Sequence, residues 1–291
     1  METSELLKKV RKIEIKTKGL SSQIFSGEYH SAFKGRGMAF SEVREYLPGD
    51  PIRSIDWNVT ARFNHPYVKV FEEEREMTVM LLIDVSGSEN FGTRSMLKRQ
   101  LTTEVAAVMA FSAAQNNDKI GVILFSETVE KFIPPKKGKS HILRIIRELI
   151  DFEPQHTGTN ISEALRFFNN VTKKRSIAFL LSDFYDEGYE LPLSVAKRKH
   201  DMVALVTRDP AEERLPNLGL APMVDPETGK RFWLDTSSKK NQRVYAARVK
   251  QHEHKTTETL RRTGVDFTTL YTDRPYVTPL MNLFKQRESR R

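Results

Sequence analysis

Three features of this sequence predict an α/β fold, doubly wound on a mostly parallel sheet. Short apolar runs recur within residues 79–83, 118–126, 176–181 and 201–207. Each has strand length, and a strand buried on both faces reads as an unbroken apolar run. The stretches between them carry apolar residues at helical spacing, and strands that alternate with helices form parallel sheets. Finally, the runs end on oxygen-bearing side chains: Asp84, Ser86 and Ser88 after the first, Ser182 and Asp183 after the third. In open sheets of this kind, ligands bind outside the carboxyl ends of the strands.

Taken in order, residues 5–18 place Leu6, Val10 and Ile13 on one side of a basic helix that stops before Gly19. A Gly- and aromatic-rich segment follows over 26–74, with a turn at Pro48-Gly49-Asp50-Pro51. There Arg36, Arg44, Arg53 and Arg62 are matched by Glu42, Glu45, Asp50 and Asp56. This predicts an irregular layer held by paired charges, with the arginines as a secondary candidate for partner contact. Residues 67–71 alternate and read as a strand. A helix over 96–115 is long enough to cover the sheet. An edge strand is expected over 128–135, since Pro134 and Pro135 are tolerated only at an edge. A helix from Ser140 to Ile150 comes next, then the loop His156-Thr157-Gly158-Thr159, with Asn160 as the cap of another helix. A turn-rich insertion over 217–238, a helix over 242–262, a strand over 266–271 and a last helix from about Thr278 complete the chain. The division expected is an extension over 1–75 and a main domain over 76–291, with an insertion at 210–240.

A chain of 291 residues can bury a large core, and 38% hydrophobic with 29% charged residues describe a folded protein rather than a disordered one. Cysteine is absent, which excludes disulfides, thiolate catalysis and cysteine-bound metals. No stretch is long and apolar enough to span a membrane, and residues 1–9 lack the order of a signal peptide, so a cytoplasmic protein is expected. The net charge of +9 raises the possibility of nucleic acid. The basic clusters are scattered and not interleaved with aromatics, so this stays the alternative reading.

Asp84, Ser86, Ser88, Thr159 and Asp183 are thus expected at one edge of the sheet. An oxygen-only set suits a hard cation, Mg²⁺ first, with Mn²⁺ or Ca²⁺ as alternatives. The hydroxyls would bind the ion while the carboxylates orient them and hold waters. An ion so little neutralised has room for one carboxylate from outside, which points to metal-bridged capture of an acidic side chain.

These residues resemble the metal-ion-dependent adhesion site of the von Willebrand factor A superfamily. Asp84-Val-Ser-Gly-Ser88 matches its first motif, Gly158-Thr159-Asn160 its threonine loop and Leu181-Ser-Asp183 its last aspartate. The upstream pattern is similar to the bacterial family called domain of unknown function 58. It runs from Arg36-Gly37 through Phe40, Glu42, Arg44, Tyr46, Gly49-Asp50, Arg53 and Ile55-Asp56-Trp57 to Ala61-Arg62. The resemblance implies a von Willebrand A-like, Rossmann-like module that works beside a MoxR-type AAA+ ATPase, as an adaptor or co-chaperone. Glu89 departs from the Met of many relatives, and is expected to compete for the ion, fill its open position or bear on partner choice. Many relatives also carry N-terminal membrane helices, which gives the expectation of a soluble form here.

An enzyme is the rival class. An aspartyl phosphatase would want a second Asp where Ser86 stands, and no serine-hydrolase elbow or zinc-protease helix occurs. A serine nucleophile would need His156 as its base, and that histidine reads as a surface residue. Trp57 and Trp233 read as packing anchors. The expectation is therefore a non-enzymatic module, with a Mg²⁺-dependent hydrolase as the lesser alternative.

Overall fold

The computed structural model describes residues 39–63, 65–72, 77–92 and 96–290. The helix expected over 5–18, and Arg36 with its flanking glycines, lie outside them. Two compact units divide the described chain, one ending at Glu76 and the other beginning at Met77.

In the smaller unit, β1 (Ala39–Glu45) pairs antiparallel with β2 (Tyr67–Glu72), with a bulge between Phe40 and Glu42. A short helix α1 (Trp57–Phe63) precedes β2. The charges pair only partly as expected. Arg44 grips Asp50 with two bonds of 2.8 Å, and Asp50 also accepts the Leu47 N–H. Asp56 instead receives the Asn58 and Val59 N–H groups at the start of α1 and faces Lys69 at 3.4 Å. Arg53 and Arg62 are exposed. Trp57 is no packing anchor: it is 66% exposed on a helix with no buried residue.

The larger unit carries a six-stranded sheet. Its strands are β3 (Thr78–Asp84), β4 (Lys119–Phe125), β5 (Val129–Lys136), β6 (Ile177–Ser182), β7 (Asp201–Arg208) and β10 (Asp266–Tyr271). Their spatial order is β10-β7-β6-β3-β4-β5. All neighbours are parallel except β5, which runs antiparallel to β4 at the edge. Gly121 permits the close approach of that edge, since a Cβ there would press on the Ile133 carbonyl and the Pro135 nitrogen. From β3 the chain moves outward to β4 and β5, then returns to build β6, β7 and β10 on the other side. The winding reverses at β3, and such a reversal opens a crevice at the carboxyl ends of the strands.

Helices cover both faces. Met80 and Leu82 of β3 join Ile123, Phe125 and Leu180 in one core, closed by α4 (Ile161–Val171) and α5 (Glu190–Lys199) through Leu165, Phe168 and Leu193. The alternate residues Val79, Leu81 and Ile83 are equally buried. Side chains alternate across a strand, so these face the other layer. Helix α2 (Lys98–Gln115), buried along most of its length, packs on β3, β4 and β7 and against α3 (Lys139–Asp151). Near the far edge, α6 (Lys239–Thr263) ends on Gly264 in the left-handed conformation, and α7 (Val277–Ser289) sends Arg287 to Asp201 and Asp266.

In this larger unit a helix and the form of the insertion were not foreseen, as β1 and α1 were not in the smaller one. Helix α5 carries Pro192 in its first turn, where a missing N–H costs nothing, and buries only Leu193 and Ala196. The insertion folds as a hairpin, β8 (Leu220–Val224) with β9 (Arg231–Asp235). Its Trp233 is 69% exposed, so this tryptophan is not a packing anchor either.

One buried base makes stability pH-dependent. His200, between α5 and β7, lies against Phe168 and bonds Ser176 Oγ through Nδ1 at 3.1 Å. Burial, then the charges of Lys199 and Arg175, push its pKa from 6.5 down to about 4. The unfolded chain therefore takes up the proton first. The contribution is complete above pH 6.5 and drains away as pH falls towards 4. Urea titrations should show about 3 kcal/mol lost across that window, and His200→Phe should flatten the slope.

Candidate functional site

Asp84 ends β3 and Ser182 ends β6, its neighbour in the sheet, so both loops leave the same edge. Asp84 is buried; its Oδ1 accepts the Ser86 N–H at 2.9 Å and its Oδ2 the Ser182 hydroxyl at 2.6 Å. Ser86 begins a 3₁₀ turn over Gly87–Asn90 that swings Ser88 back, so the two serine hydroxyls stand 3.2 Å apart. The Ser88 hydroxyl also faces Asp183 and favours its charged form. Beyond Asp183 the chain turns sharply. Phe184 has φ 61°, a costly conformation for a bulky residue, fixed by its N–H on Ser182 Oγ and by burial of its ring. Strain of this kind collects where a loop must present a side chain.

The third loop is tied to the first by the Gly87 N–H on the Thr157 carbonyl, 2.8 Å. Asn160 caps α4 as expected, accepting from the Glu163 N–H, and Asp186 of the β6 loop accepts the Ile161 N–H. Thr159 thereby stands at the same rim. Its hydroxyl donates to Glu227, at the tip of the β8–β9 hairpin, over 3.0 Å.

Lys98 was not foreseen. This lysine is fully buried at the start of α2, and its ammonium bonds Asp183 Oδ2 and Glu212 Oε1, each at 2.7 Å. Glu89 was expected to bear on partner choice, but it is 1% exposed. The 3₁₀ turn rotates it inward, where the Thr207 and Thr102 hydroxyls donate to its two oxygens. No partner could touch it there. One oxygen each of Asp84, Glu89 and Asp183 lies within 4.8 Å of the others.

Asp183 and Glu212 thus hold the Lys98 ammonium, Glu89 adds its charge, and Asp84 lies beside Asp183 and Glu89. Burial, then the charge of Asp183, push Asp84 up to about 7, against the hydrogen bonds from Ser182 and Ser86. Burial raises Glu89 well above its ordinary range despite the charge of Lys98. Asp183 is held low: burial raises it, but the Lys98 ammonium outweighs that. Lys98 is driven up by Asp183, Glu89 and Glu212 in spite of burial. The cluster is short of positive charge, and that shortfall is what a divalent cation would supply.

The donors fit such an ion. Neighbouring ligands of an octahedral Mg²⁺ with bonds of about 2.1 Å stand about 3 Å apart, close to the 3.2 Å between the serine hydroxyls. Among the described residues the set offers oxygen ligands only, the preference of Mg²⁺, Mn²⁺ and Ca²⁺. His156, the base expected for a serine nucleophile, turns its Nδ1 to Glu130 at 3.1 Å, while His252 Nε2 lies 3.5 Å from the Asp183 carbonyl.

The sequence profile of the family described as "Protein of unknown function DUF58" matches residues 42–255, and the chain belongs to that family. Uncharacterized protein Rv1480 of Mycobacterium tuberculosis is 25% identical over 292 aligned residues, 99% of this chain and 91% of that protein. Uncharacterized protein YeaD of Bacillus subtilis is 28% identical over 109 residues, 38% of this chain and 25% of that one. Among solved structures, conserved hypothetical protein BatB from Bacteroides thetaiotaomicron is 12% identical with a TM-score of 0.47, over 73% of this chain and 99% of that chain. Proximal thread matrix protein 1 from the mussel byssus, described with a zinc-occupied MIDAS motif, is 18% identical with a TM-score of 0.38. That match covers 46% of this chain and 38% of that one.

Proposed function

We propose that this member of the family is a non-enzymatic, divalent-metal-dependent protein-binding module whose occupant is an acidic side chain of a client protein. The observation that carries the reading is the convergence of three loops on one rim. Ser86 and Ser88 hydroxyls lie at octahedral spacing, and Asp84 and Asp183 stand behind them. A Mg²⁺ ion held there would supply a Lewis-acidic position that prefers a carboxylate oxygen. The protein's own groups do the rest. Asp84 aims the Ser86 hydroxyl, and Asp183, kept ionised by Lys98, aims that of Ser88. Burial of these acids excludes water from the back of the site, which strengthens each polar contact.

The partner that the family resemblance suggests is a MoxR-type AAA+ ATPase, with this protein as its adaptor or co-chaperone in the cytoplasm. No helix among the described residues is long and apolar enough to cross a membrane. A pull-down from the native cell, with and without EDTA, tests the proposal. The expected result is recovery of an AAA+ ATPase or a client complex with Mg²⁺ and its loss on chelation. The same proteins recovered in both conditions would contradict the metal mechanism. Nucleic acid recovered instead, and released steeply by added salt, would transfer the function to the basic surface.

A further inference from the structure

The hairpin over the site is built to hold one carboxylate in place. Its turn is locked before it reaches the rim: Asp225 accepts the N–H groups of Glu227 and Thr228 on Oδ1, at 3.0 and 3.2 Å. The Asp225 N–H bonds the Lys230 carbonyl and the Gly229 N–H the Asp225 carbonyl, with Gly229 at φ 68°. At its base, Thr236 is tied through N–H and hydroxyl to the Gly219 carbonyl. The tip then docks on two of the three loops of the candidate site. Thr157 Oγ1 donates to the Glu227 carbonyl at 2.5 Å, and Thr159 Oγ1 to Glu227 Oε1 at 3.0 Å. The Pro226 carbonyl lies so near Gly87 that a Cβ on that glycine would overlap it. Only glycine between Ser86 and Ser88 leaves room for the hairpin.

We infer that Glu227 is a metal ligand supplied by the chain itself, seated in the coordination position otherwise open to an external acid. Thr159 Oγ1 and Glu227 Oε1 stand 3.0 Å apart, the spacing of two neighbouring oxygen ligands on such an ion, as do the Ser86 and Ser88 hydroxyls at 3.2 Å. The side chain is half-buried and faces the Asp183 charge. A carboxylate left there without a cation meets like charge, and one with a cation meets its natural partner. This inference rests on the metal site proposed above, and adds that the site is closed in the resting protein. A client carboxylate then binds by displacing a tethered competitor, whose high effective concentration sets a threshold that weak acids do not pass. Release of the hairpin, by a partner or by the client, is the step that opens the module.

The test counts water on a bound ion. Mn²⁺ is titrated into the full-length wild type, Glu227→Gln and Glu227→Ala, with affinity read by EPR and inner-sphere water by proton relaxivity. The Ala variant is expected to bind Mn²⁺ weaker by about tenfold or more, and its ion to carry one additional water. Sodium acetate should displace that water from the Ala variant at concentrations that leave the wild-type signal unchanged. The Gln variant, with an amide oxygen in the same position, should retain the wild-type water count. Equal affinity and equal relaxivity in wild type and Ala variant would overturn the inference and leave the metal site standing. Absence of Mn²⁺ binding by the wild type would overturn the metal site, and the inference with it.

Discussion

Asp84→Asn is expected to weaken Mg²⁺ binding by at least about a hundredfold, a loss at the upper end of what groups orienting a metal's ligands contribute, while the fold persists. The carboxylate receives the Ser86 N–H and the Ser182 hydroxyl. An Asn side chain has the same shape, keeps one acceptor, and lets the Ser182 hydroxyl turn to accept from its amide. What vanishes is the charge that orients the Ser86 hydroxyl towards a cation. Without metal the same change acts in the other direction. Burial and Asp183 push Asp84 from 3.8 up to about 7, so the folded chain holds that proton more tightly than the unfolded one. Metal-free wild type therefore loses stability as pH rises from about 4 towards 7, and the Asn variant is spared that loss. Urea titrations at pH 8 should rank the variant above wild type in EDTA and below it in saturating Mg²⁺. The same ranking in both buffers would mean that Asp84 does not serve a cation.

Lys98→Met carries the largest expected cost to folding. The side chain is fully buried, with its ammonium on Asp183 and Glu212. Methionine fills nearly the same volume but leaves Asp183 and Glu212 without their cation, and Asp183 against Asp84 and Glu89. Removing one partner from a buried ion pair costs about 3–5 kcal/mol. Lysine at a helix N-terminus is electrostatically disfavoured, so its presence there answers to the acids rather than to α2. Saturating Mg²⁺ should reduce the loss, because a divalent cation neutralises the same charges. Glu212→Gln combined with Lys98→Met should recover part of it, as expected for groups that act together. A loss that Mg²⁺ leaves untouched would show that lysine and metal do not share a cluster.

The candidate site was legible in the sequence where it is local. Asp84, Ser86 and Ser88 fall within five residues after a buried run, and Asp183 follows a second run that the sheet places beside the first. Thr159 announced itself by a glycine before it and a capping Asn160 after it. The remainder depends on contacts that spacing does not encode. Lys98 meets Asp183 across 85 residues and Glu212 across 114; Thr159 meets Glu227 across 68. A lysine at the head of a helix that turns apolar over 105–111 was the one signal available for the first. For the last it was an acid at the tip of Asp225-Pro226-Glu227-Thr228-Gly229. The burial of Glu89 beside Asp84 and Asp183 was not legible because a 3₁₀ turn, unlike a strand or a longer loop, brings its third residue back towards the sheet. The sheet followed from its apolar runs, whereas the hairpin did not: its strands are short, mostly exposed and interrupted by Pro222.

Anomalous diffraction from crystals grown with Mn²⁺ tests the central claim most directly. One strong peak is expected at the rim, within bonding distance of the Ser86, Ser88 and Thr159 hydroxyls, with Asp84 and Asp183 behind them. A map without a peak there, while Lys98 alone neutralises the acids, would contradict it.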